Sequence, residues 1–449
     1  MPRLHQIVSL SDSVMLRPMI SPEVDAGKSS RSRIAWRLLP FLFLLYVANY
    51  LDRTNIAYAT LGMRGDLGLS DSVFGTASGI FFIGYFALQV PGALLVERWS
   101  ARWLLALTLI TWGALTTLTA FVHTPHQLYG ARFLLGAAEA GFFPGVIVYL
   151  SHWFIYQDRA KAIARFMSAI PIAYILGGPL AGKILGIHWL GTPGWRWLFL
   201  LEGIPAVLLG FVTLLVLPDR PNEAPWLAPN ERDWIESRLT EERRVKTDAE
   251  QMSILQALRD PPVIILTLGL FFCYSGGYIF WFWMPTLLKR MTGWSDIHVG
   301  WMGAIPFIAG LIGMLLLGWN SDRTRERRWH FAAPQLTAAL GLAAWFFLPH
   351  SNALLILVFT LIGFGTVSYL PAFWALPSAF LTSSAAAAAV GFINCTASIG
   401  GFVGPKIFGD LSQRTGSFNT GFLVMIVCWI IASVLVLICP RARTTELSS

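Results

Sequence analysis

The sequence predicts an all-α membrane protein in which twelve transmembrane helices form two pseudo-symmetric bundles of six. The first observation is composition: 55% of the 449 residues are hydrophobic and 13% are charged, whereas soluble domains carry about 25% charged residues. The second is the length of the apolar segments, because a transmembrane helix needs about 20 residues. The third is one long polar stretch, residues 218–261, which separates six apolar segments from six others.

The apolar segments give the order of the elements. An N-terminal bundle is expected over residues 34–217 and a C-terminal bundle over residues 262–440. Residues 1–33 are polar and lack the compact apolar core of a signal peptide, so a disordered cytoplasmic tail is expected there and at residues 441–449. The twelve spans are predicted near residues 35–57, 73–96, 102–122, 127–152, 160–186, 196–217, 262–288, 298–319, 330–348, 352–377, 386–409 and 418–439.

The polar stretch between the bundles is rich in proline at its start and then densely charged. Trp226, Trp234 and Leu239 punctuate the charged part. Apolar residues spaced among many charges are typical of a helix that lies on a membrane surface. Residues 218–261 are therefore expected to be a cytoplasmic linker that contains a short amphipathic helix.

The distribution of charge orients the chain and excludes one class of partner. The formal net charge is +8, but Lys and Arg cluster in the loops on one predicted side, which is the pattern of cytoplasmic loops. Both termini are therefore expected in the cytoplasm, and a nucleic-acid partner is not expected. The cysteines lie in or beside apolar spans without CxxC spacing, so neither a metal site nor a disulfide framework is predicted. They are Cys273, Cys395, Cys428 and Cys439.

Five ionisable residues nevertheless lie inside the apolar spans: Asp52, Arg53, Arg132, Glu139 and Glu202. A charge at bilayer depth costs about 2.5–3.5 kcal/mol on insertion scales, so such residues commonly mark substrate or ion paths. Arg132 and Glu139 share one helix face, but about 10.5 Å of helix rise separates them. Each is expected to have another partner, which is either a transported species or a neighbouring span held by an ion pair.

Two further features of these charges bear on function. Asp52 and Arg53 are adjacent, so their side chains point about 100° apart and cannot grip one ligand together. One is expected to face a central cavity and the other an adjoining span, with mutual neutralisation of buried charges as the alternative. Arginine stays charged when buried and binds carboxylates through two N–H groups, which favours an anionic cargo. Glu202 is expected to form a structural pair with Arg196 at the membrane edge.

The two halves also repeat a charged pattern. PGALLVERWSAR follows the second span and GWNSDRTRERR follows the eighth. Each copy has a small residue four positions before an acid–Arg pair and another Arg four positions after that pair. Internal duplication of this kind is typical of transporter bundles. The charged residues are Glu97, Arg98 and Arg102 in the first copy and Asp322, Arg323 and Arg327 in the second.

These loop elements resemble the G-x-x-x-D-R-x-G-R-R motif of the major facilitator superfamily, although Ala93, Glu97 and Ser100 depart from it in the first copy. ANYLDRTN on the first span, GARFLLGAAEAGFFPG on the fourth and GWRWLFLLEGIPA on the sixth resemble the anion:cation symporter family. That family includes bacterial permeases for sugar acids, tartrate, phthalate and hydroxyphenylacetate, and sialin-type carriers. The resemblance covers residues 34–440 and implies the major facilitator fold.

The resemblance implies roles for the buried charges. Asp52 and Glu139 would take up protons, while Arg53 and Arg132 would hold the substrate anion. The repeated loop elements would latch the outward-open state on the cytoplasmic side; signalling of topology is the alternative role for them.

The resemblance also implies a set of uncharged cavity residues. Tyr85 on the second span and Asn394 on the eleventh would contact the substrate. Packing is the alternative for Tyr85, and a helix–helix hydrogen bond is the alternative for Asn394. Spans 1, 4, 7 and 10 surround the cavity in this superfamily, so Tyr278 and Trp374 are expected to line it.

Together these features predict a secondary active transporter that carries a small organic anion with protons by alternating access. The cargo is expected to be a carboxylate such as a sugar acid or an aromatic acid, and the proton gradient replaces any cofactor. The protein is expected to act as a monomer in a bacterial inner membrane. An organic-anion exchanger is the alternative, and a membrane sensor that binds a ligand without moving it is a remote one. No nucleophile–base set is recognisable, so an enzyme is not expected.

Overall fold

The computed structural model describes residues 22–247, 259–377 and 383–440, and this part of the chain consists of helices and their connections. Short 3₁₀ turns cover Trp189–Gly191 and Pro221–Glu223. The α-helices are α1 (Pro22–Leu67), α2 (Asp71–Arg98), α3 (Ala101–Thr119), α4 (Pro125–Glu139), α5 (Phe142–Trp153), α6 (Tyr156–Met167), α7 (Ala169–Leu185), α8 (Gly194–Val216), α9 (Pro229–Thr247), α10 (Pro261–Thr292), α11 (Asp296–Thr324), α12 (Arg328–Ala344), α13 (Asn352–Ser368), α14 (Leu370–Trp374), α15 (Ser383–Ser398), α16 (Gly400–Thr415) and α17 (Asn419–Ile438).

Ten segments in the described ranges are long and apolar enough to cross a membrane. Seven of them are single helices, and three are pairs interrupted at a short break, α4–α5, α6–α7 and α13–α14. Helix α12 and the α15–α16 pair fill the two remaining positions of the predicted twelve. The prediction of an all-α membrane protein is confirmed. We call α1–α8 the N half and α10–α17 the C half.

Ser and Thr caps fix where several helices begin. In each case the side-chain oxygen accepts a hydrogen bond from the backbone N–H three residues later, which satisfies one of the free donors at a helix start. Gly293 and Gly416 end α10 and α16 with φ angles of 71° and 65°, a left-handed conformation that glycine adopts without steric cost. The caps are Ser70, Ser100, Thr124, Ser295 and Ser351.

Successive spans alternate in direction, so the helix ends fall on two sides of the bundle. The linker side carries α9, the start of α1 and the end of α17. The distal side carries the connections α1–α2, α7–α8 and α10–α11.

The two halves are packed tightly against each other near the distal side. Gly178 on α7 faces Gly300 on α11: a Cβ atom at Gly300 would lie 2.3 Å from the carbonyl oxygen of Gly178. On the opposite flank, a Cβ atom at Gly75 of α2 would lie 2.4 Å from the carbonyl oxygen of Pro405 on α16. Small residues permit such close approach of membrane helices. The distal side is therefore closed in this structure.

Polar contacts reinforce the closed distal side. The Asp71 carboxylate at the start of α2 accepts bonds from both terminal nitrogens of Arg290, at 2.7 and 3.0 Å, and from Ser412 Oγ at 2.6 Å. Arg290 and Ser412 belong to the C half. Arg64, from the N half, also donates to Asp71 at 2.6 Å. Asp71 thus joins the two halves by an ion pair and hydrogen bonds.

The linker side carries one helix of the polar stretch, and one boundary there differs from the expected one. This helix is α9, which packs on the ends of α1 and α5. Trp226, in the segment before α9, stacks on Trp153 at 5.6 Å. Helix α1 begins at Pro22, so residues 22–33 are helical, in contrast to the predicted tail. A long-range ion pair and a long-range hydrogen bond explain the difference: Arg31 donates to Asp158 at 2.5 and 2.7 Å, and Ser29 donates to Glu231. Residues 1–21 and 441–449, also predicted as tails, lie outside the described residues.

Candidate functional site

A small cavity lies between the two halves at the middle of the bundle. It encloses about 60 Å³, which is room for a few water molecules. Its wall is aromatic and hydroxylated, and amides and a serine add further polar groups. Arg53 is the one cation and Glu139 the one acid among the described residues that line it. The lining tyrosines are Tyr46, Tyr50, Tyr85, Tyr274, Tyr278 and Tyr369.

Glu139 is the centre of the polar contacts in this cavity. One carboxylate oxygen, Oε2, accepts a bond from a terminal nitrogen of Arg53 at 2.7 Å and another from Asn49 Nδ2 at 2.8 Å. Its other oxygen, Oε1, is buried and has no hydrogen-bond partner within the described structure. Helix α4 ends at Glu139 and α5 begins at Phe142. The carboxylate therefore lies at a break in the span, where it contacts α1.

The Arg53 guanidinium is held in an aromatic cradle. Its central carbon lies 4.9 Å from the ring centre of Tyr50, 5.1 Å from that of Phe81 and 5.2 Å from that of Tyr85. A cation over an aromatic face is stabilised by the ring quadrupole, and more so when water is excluded. The Nε atom of Arg53 is buried without a partner in the described ranges. Arg53 thus keeps one donor unused while the terminal nitrogen binds Glu139.

Asp52 is buried beside this site but does not line the cavity. Its Oδ1 accepts from Asn55 Nδ2 at 2.8 Å and its Oδ2 accepts from Thr116 Oγ1 at 2.6 Å. Asp52 therefore faces the adjoining helix α3, while Arg53 faces the cavity. This division between neighbours follows from the angle of about 100° between successive residues of a helix.

Arg132 is completely buried and also lies outside the cavity lining. Its guanidinium carbon is 5.0 Å from the centre of the Phe81 ring, so Arg132 and Arg53 contact the same ring. None of the three guanidinium nitrogens has a hydrogen-bond partner among the residues that the structure describes. Arg132 interacts electrostatically with both Asp52 and Glu139. It lies about 10.5 Å along α4 from Glu139, toward the closed distal side, which explains why it does not reach the cavity.

The C half supplies uncharged groups, including the three that the sequence analysis names. Tyr278, Trp374 and Asn394 all line the cavity. Tyr274 Oη donates to Asn394 Oδ1 at 3.3 Å, and the Nε1 donor of Trp374 is buried without a partner in this part of the structure. The C half therefore offers aromatic faces and single hydrogen-bonding groups where the N half offers charge.

Several lining residues were not identified from the sequence. Tyr46 and Tyr50 belong to this group, and both lie on α1 with Asn49 and Arg53. The four residues have the spacing i, i+3, i+4 and i+7, which marks one face of a helix. That spacing could have identified them. Ser398 on α15, in contrast, carries no pattern that separates it from other serines in apolar spans.

The structure describes contacts for Arg102, Asp322, Arg323 and Arg327 among the repeated loop residues. The backbone N–H of Arg102 donates at 2.9 Å to Asp219, which lies just after α8 at the start of the linker. In the C half a terminal nitrogen of Arg327 lies 2.7 Å from Asp322, and Arg323 lies over the ring of Trp319 at 5.5 Å. The side chains of Glu97 and Arg98 lie outside the described part of the structure.

The predicted pair between Glu202 and Arg196 is not formed. Arg196 donates to the backbone oxygen of Ala120 and contacts His123 Nδ1 at 3.4 Å. Glu202 instead lies near Asn55 and interacts electrostatically with Asp52. The physical reason is helix geometry: six residues along a helix turn the side chain by about 120° relative to the first one. The two side chains therefore point to different neighbours.

Comparison with known proteins identifies the family. The family model of the Major Facilitator Superfamily matches residues 42–405. This protein belongs to the Major Facilitator Superfamily. A putative tartrate transporter of Agrobacterium vitis is 41% identical over 411 residues, covering 91% of this chain and 94% of its own. The putative metabolite transport protein NicT of Pseudomonas putida is 38% identical, with 94% and 97% covered.

A solved structure supports the major facilitator fold. A bacterial homologue of the human lysosomal transporter Spinster, in an inward-facing and occupied conformation, superposes with a TM-score of 0.75 at 19% identity. The match covers 91% of this chain and 97% of that one. The predicted fold and family are confirmed, and this major facilitator is a multi-pass membrane transporter of small molecules, not an enzyme.

Proposed function

We propose that this transporter is a proton-coupled symporter for a small organic anion. The observation that carries the proposal is the bond between Arg53 and Glu139 at the cavity wall, 2.7 Å long. The one cation that lines the described cavity is thus neutralised by the one acid beside it. A substrate anion and the Glu139 carboxylate would compete for the same guanidinium. Protonation of Glu139 removes the competitor, so proton uptake and anion binding become coupled.

The proposed cycle uses the four buried charges in order. With the distal side open, protons neutralise Glu139 and Asp52, and the anion meets Arg132 and then Arg53. Arg132 is buried outside the cavity lining in the distal-closed structure, and opening of that side would bring it to the entry path. Once both acids are neutral, the bound anion supplies the negative charge that Arg53 and Arg132 need, because closing the bundle over an unpaired buried charge is expensive. Opening of the linker side then releases the protons, the Glu139 carboxylate binds Arg53 again, and the anion leaves.

Chemistry of the cavity supports a hydroxylated carboxylate as the cargo. Arg53 is suited to a carboxylate because its planar fork of donors matches two oxygens. Tyr278, Trp374 and Asn394 offer ring faces and single hydrogen-bonding groups on the opposite wall. A sugar acid or a dicarboxylate with hydroxyl groups fits both walls, and one relative is named as a putative tartrate transporter. An aromatic acid would use the ring faces but few of the hydroxyls.

We further propose that the linker side faces the cytoplasm of a bacterial cell, with both chain termini inside. The Lys-rich and Arg-rich loops support this orientation. The loop residues Glu97, Arg98 and Arg102 would then pair across the halves with Asp322, Arg323 and Arg327 when the linker side closes. In the distal-closed structure Arg327 pairs with Asp322 within the C half, so these two residues would exchange partners when the linker side closes. Transport by a monomer is proposed because the cavity is formed within one chain.

Proteoliposome transport tests the proposal. Labelled tartrate uptake is expected to exceed equilibrium when the distal-facing compartment is more acidic. A membrane potential of about 100 mV adds roughly 2.3 kcal/mol per net charge moved, so potential dependence reports the proton number. Glu139→Gln should abolish accumulation but keep exchange of labelled for unlabelled substrate, with Tyr129→Phe on the same helix as a matched control. Exchange that ignores pH, without accumulation, would establish the antiporter instead.

A further inference from the structure

A third carboxylate, that of Glu202, lies beside the buried charges but has no place in the cycle above. It is eight residues after Gly194, where α8 begins on the distal side, which is about 12 Å of helix rise. Glu202 is therefore inside the span and not at its edge. The side chain is half-buried, and its Oε2 atom is buried without a hydrogen-bond partner in the described structure.

Close packing of helices delivers Glu202 to this position. A Cβ atom at Gly113 of α3 would lie 2.7 Å from the carbonyl oxygen of Gly203, so α3 and α8 touch at the residue after Glu202. Thr116, one turn further along α3, donates to Asp52 at 2.6 Å. Helix α3 thus holds both the α8 backbone and the Asp52 carboxylate. Asp52 and the backbone beside Glu202 therefore pack against the same helix.

Asn55 lies between the two acids. Its Nδ2 donates to Asp52 at 2.8 Å, while its Oδ1 is buried and accepts no hydrogen bond within the described ranges. Glu202 is close to this amide. Asn55 Oδ1 and Glu202 Oε2 are therefore two buried acceptors in this cluster that lack a donor in the described structure. Buried acceptors without a donor are costly, and a proton on Glu202 would supply the missing donor.

The charge balance of the cluster gives an independent reason for that proton. Arg53 and Arg132 are matched by Asp52 and Glu139, so these four residues are neutral as a group when all are ionised. Ionised Glu202 would add one unmatched negative charge inside a span, which is expensive. Other cations are engaged elsewhere: Arg196 binds Ala120 and His123. Helix α3 has only Arg102, at its linker-side end, and α7 has only the exposed Lys183.

We propose, on the basis of the symport proposed above, that Glu202 is a third proton-carrying residue that shares a proton with Asp52. The proton moves from the Glu202 carboxyl group to the Asp52 carboxylate, so one acid gains the negative charge that the other loses. Asn55 acts as a positioning residue because its amide can donate to whichever carboxylate is ionised. Glu202 thereby stores a proton outside the cavity and keeps the charge of the cluster constant while Asp52 titrates.

Transport assays separate this role from a structural one. Purified wild type and Glu202→Gln are reconstituted in liposomes and given labelled tartrate, with or without a pH gradient. The variant should keep substrate exchange near the wild-type rate and lose gradient-driven accumulation by about tenfold or more. Glu202→Asp should restore part of the accumulation. Thr117→Val is the matched control, because Thr117 also lies at the α3–α8 contact but cannot titrate, and it should accumulate like wild type.

Infrared spectroscopy of the protein in lipid nanodiscs provides a readout that needs no substrate. Wild type should show a protonated carboxyl C=O band near neutral pH that Glu202→Gln removes and Glu202→Asp shifts. The assignment would be overturned if wild type lacked that band. It would also be overturned if Glu202→Gln lost exchange and accumulation equally, or if it accumulated substrate with the wild-type pH profile. If wild type itself accumulates no tartrate under the gradient, the symport of tartrate fails, while the infrared band still decides whether Glu202 carries a proton.

Discussion

Replacing Arg290 by Gln is expected to shift the balance between the distal-closed and distal-open conformations toward the open one. Both bonds from Arg290 to Asp71, at 2.7 and 3.0 Å, cross between the halves and must break when the distal side opens. A hydrogen bond to a charged group contributes about 1.5–3 kcal/mol when buried. The Arg290 side chain is 37% exposed, so the pair is screened, and about 1.5 kcal/mol is a reasonable value. That value corresponds to about a tenfold change in the ratio of the two conformations.

Arg64 offers a matched control on the same carboxylate. It donates to Asp71 at 2.6 Å but belongs to the same half as Asp71, so its bond persists whether the distal side is open or closed. Arg64→Gln removes the same type of charge at the same site. It should leave the conformational ratio unchanged or shift it toward the closed form, because Arg290 no longer competes with Arg64 for the Asp71 carboxylate.

Double electron–electron resonance measures this ratio directly. Spin labels at Leu190→Cys and Phe347→Cys report on the two halves, since these loop residues are 92% and 85% exposed. The four native cysteines are buried and are replaced by Ala in the labelled background. Arg290→Gln should increase the population at long distance about tenfold relative to wild type. An unchanged distance distribution, or an equal effect of Arg64→Gln, would refute the reasoning.

Three further predictions follow from individual contacts. Gly300→Ala should weaken distal closure and reduce uptake, because its Cβ would lie 2.3 Å from a backbone oxygen. Such overpacking costs about 1–3 kcal/mol. The control Gly277→Ala, whose Cβ would meet Thr366 at 3.8 Å, should transport normally. Arg53→Lys should raise the KM for labelled tartrate about tenfold or more through loss of the planar fork, and an unchanged KM would exclude Arg53 from anion binding. Glu231→Ala should speed tryptic cleavage of the linker while uptake persists. The reason is that Glu231 accepts hydrogen bonds from Ser29 and, at 3.0 Å, from the backbone N–H of Ala228. The control Glu241→Ala, at an exposed position, should be cleaved at the wild-type rate.

The candidate site shows how far local sequence reasoning reaches. Asp52, Arg53, Arg132 and Glu139 are all identified as buried charges because their surroundings in the sequence are apolar. The rule that adjacent helix residues diverge also predicts that Asp52 and Arg53 face different neighbours. The sequence does not show whether Arg132 lines the cavity. Arg132 shares one face of α4 with Glu139, but that face borders the cavity only at Glu139 and lies in the closed distal region at Arg132.

Glu202 is a residue whose partners could not be predicted from its neighbours in the sequence. Its proximity to Arg196 in the sequence favoured a pair, yet its neighbours Asn55 and Asp52 lie on another helix. Residues 22–33 show the same effect, because their polar composition predicts a tail while an ion pair to α6 and a hydrogen bond to α9 hold them in a helix. In both cases contacts distant in sequence outweigh the local pattern.

Composition and span length are enough to predict a bundle of membrane helices with charges placed at depth, because the bilayer imposes length and polarity on each span separately. The family is also recognisable from segments that each lie within one span or loop. The contacts between Arg53 and Glu139, between Thr116 and Asp52 and between Asp71 and the C half, in contrast, are visible only once the helices are packed. Those pairings depend on how helices rotate and pack against one another, and close contacts between glycines on different helices set that packing.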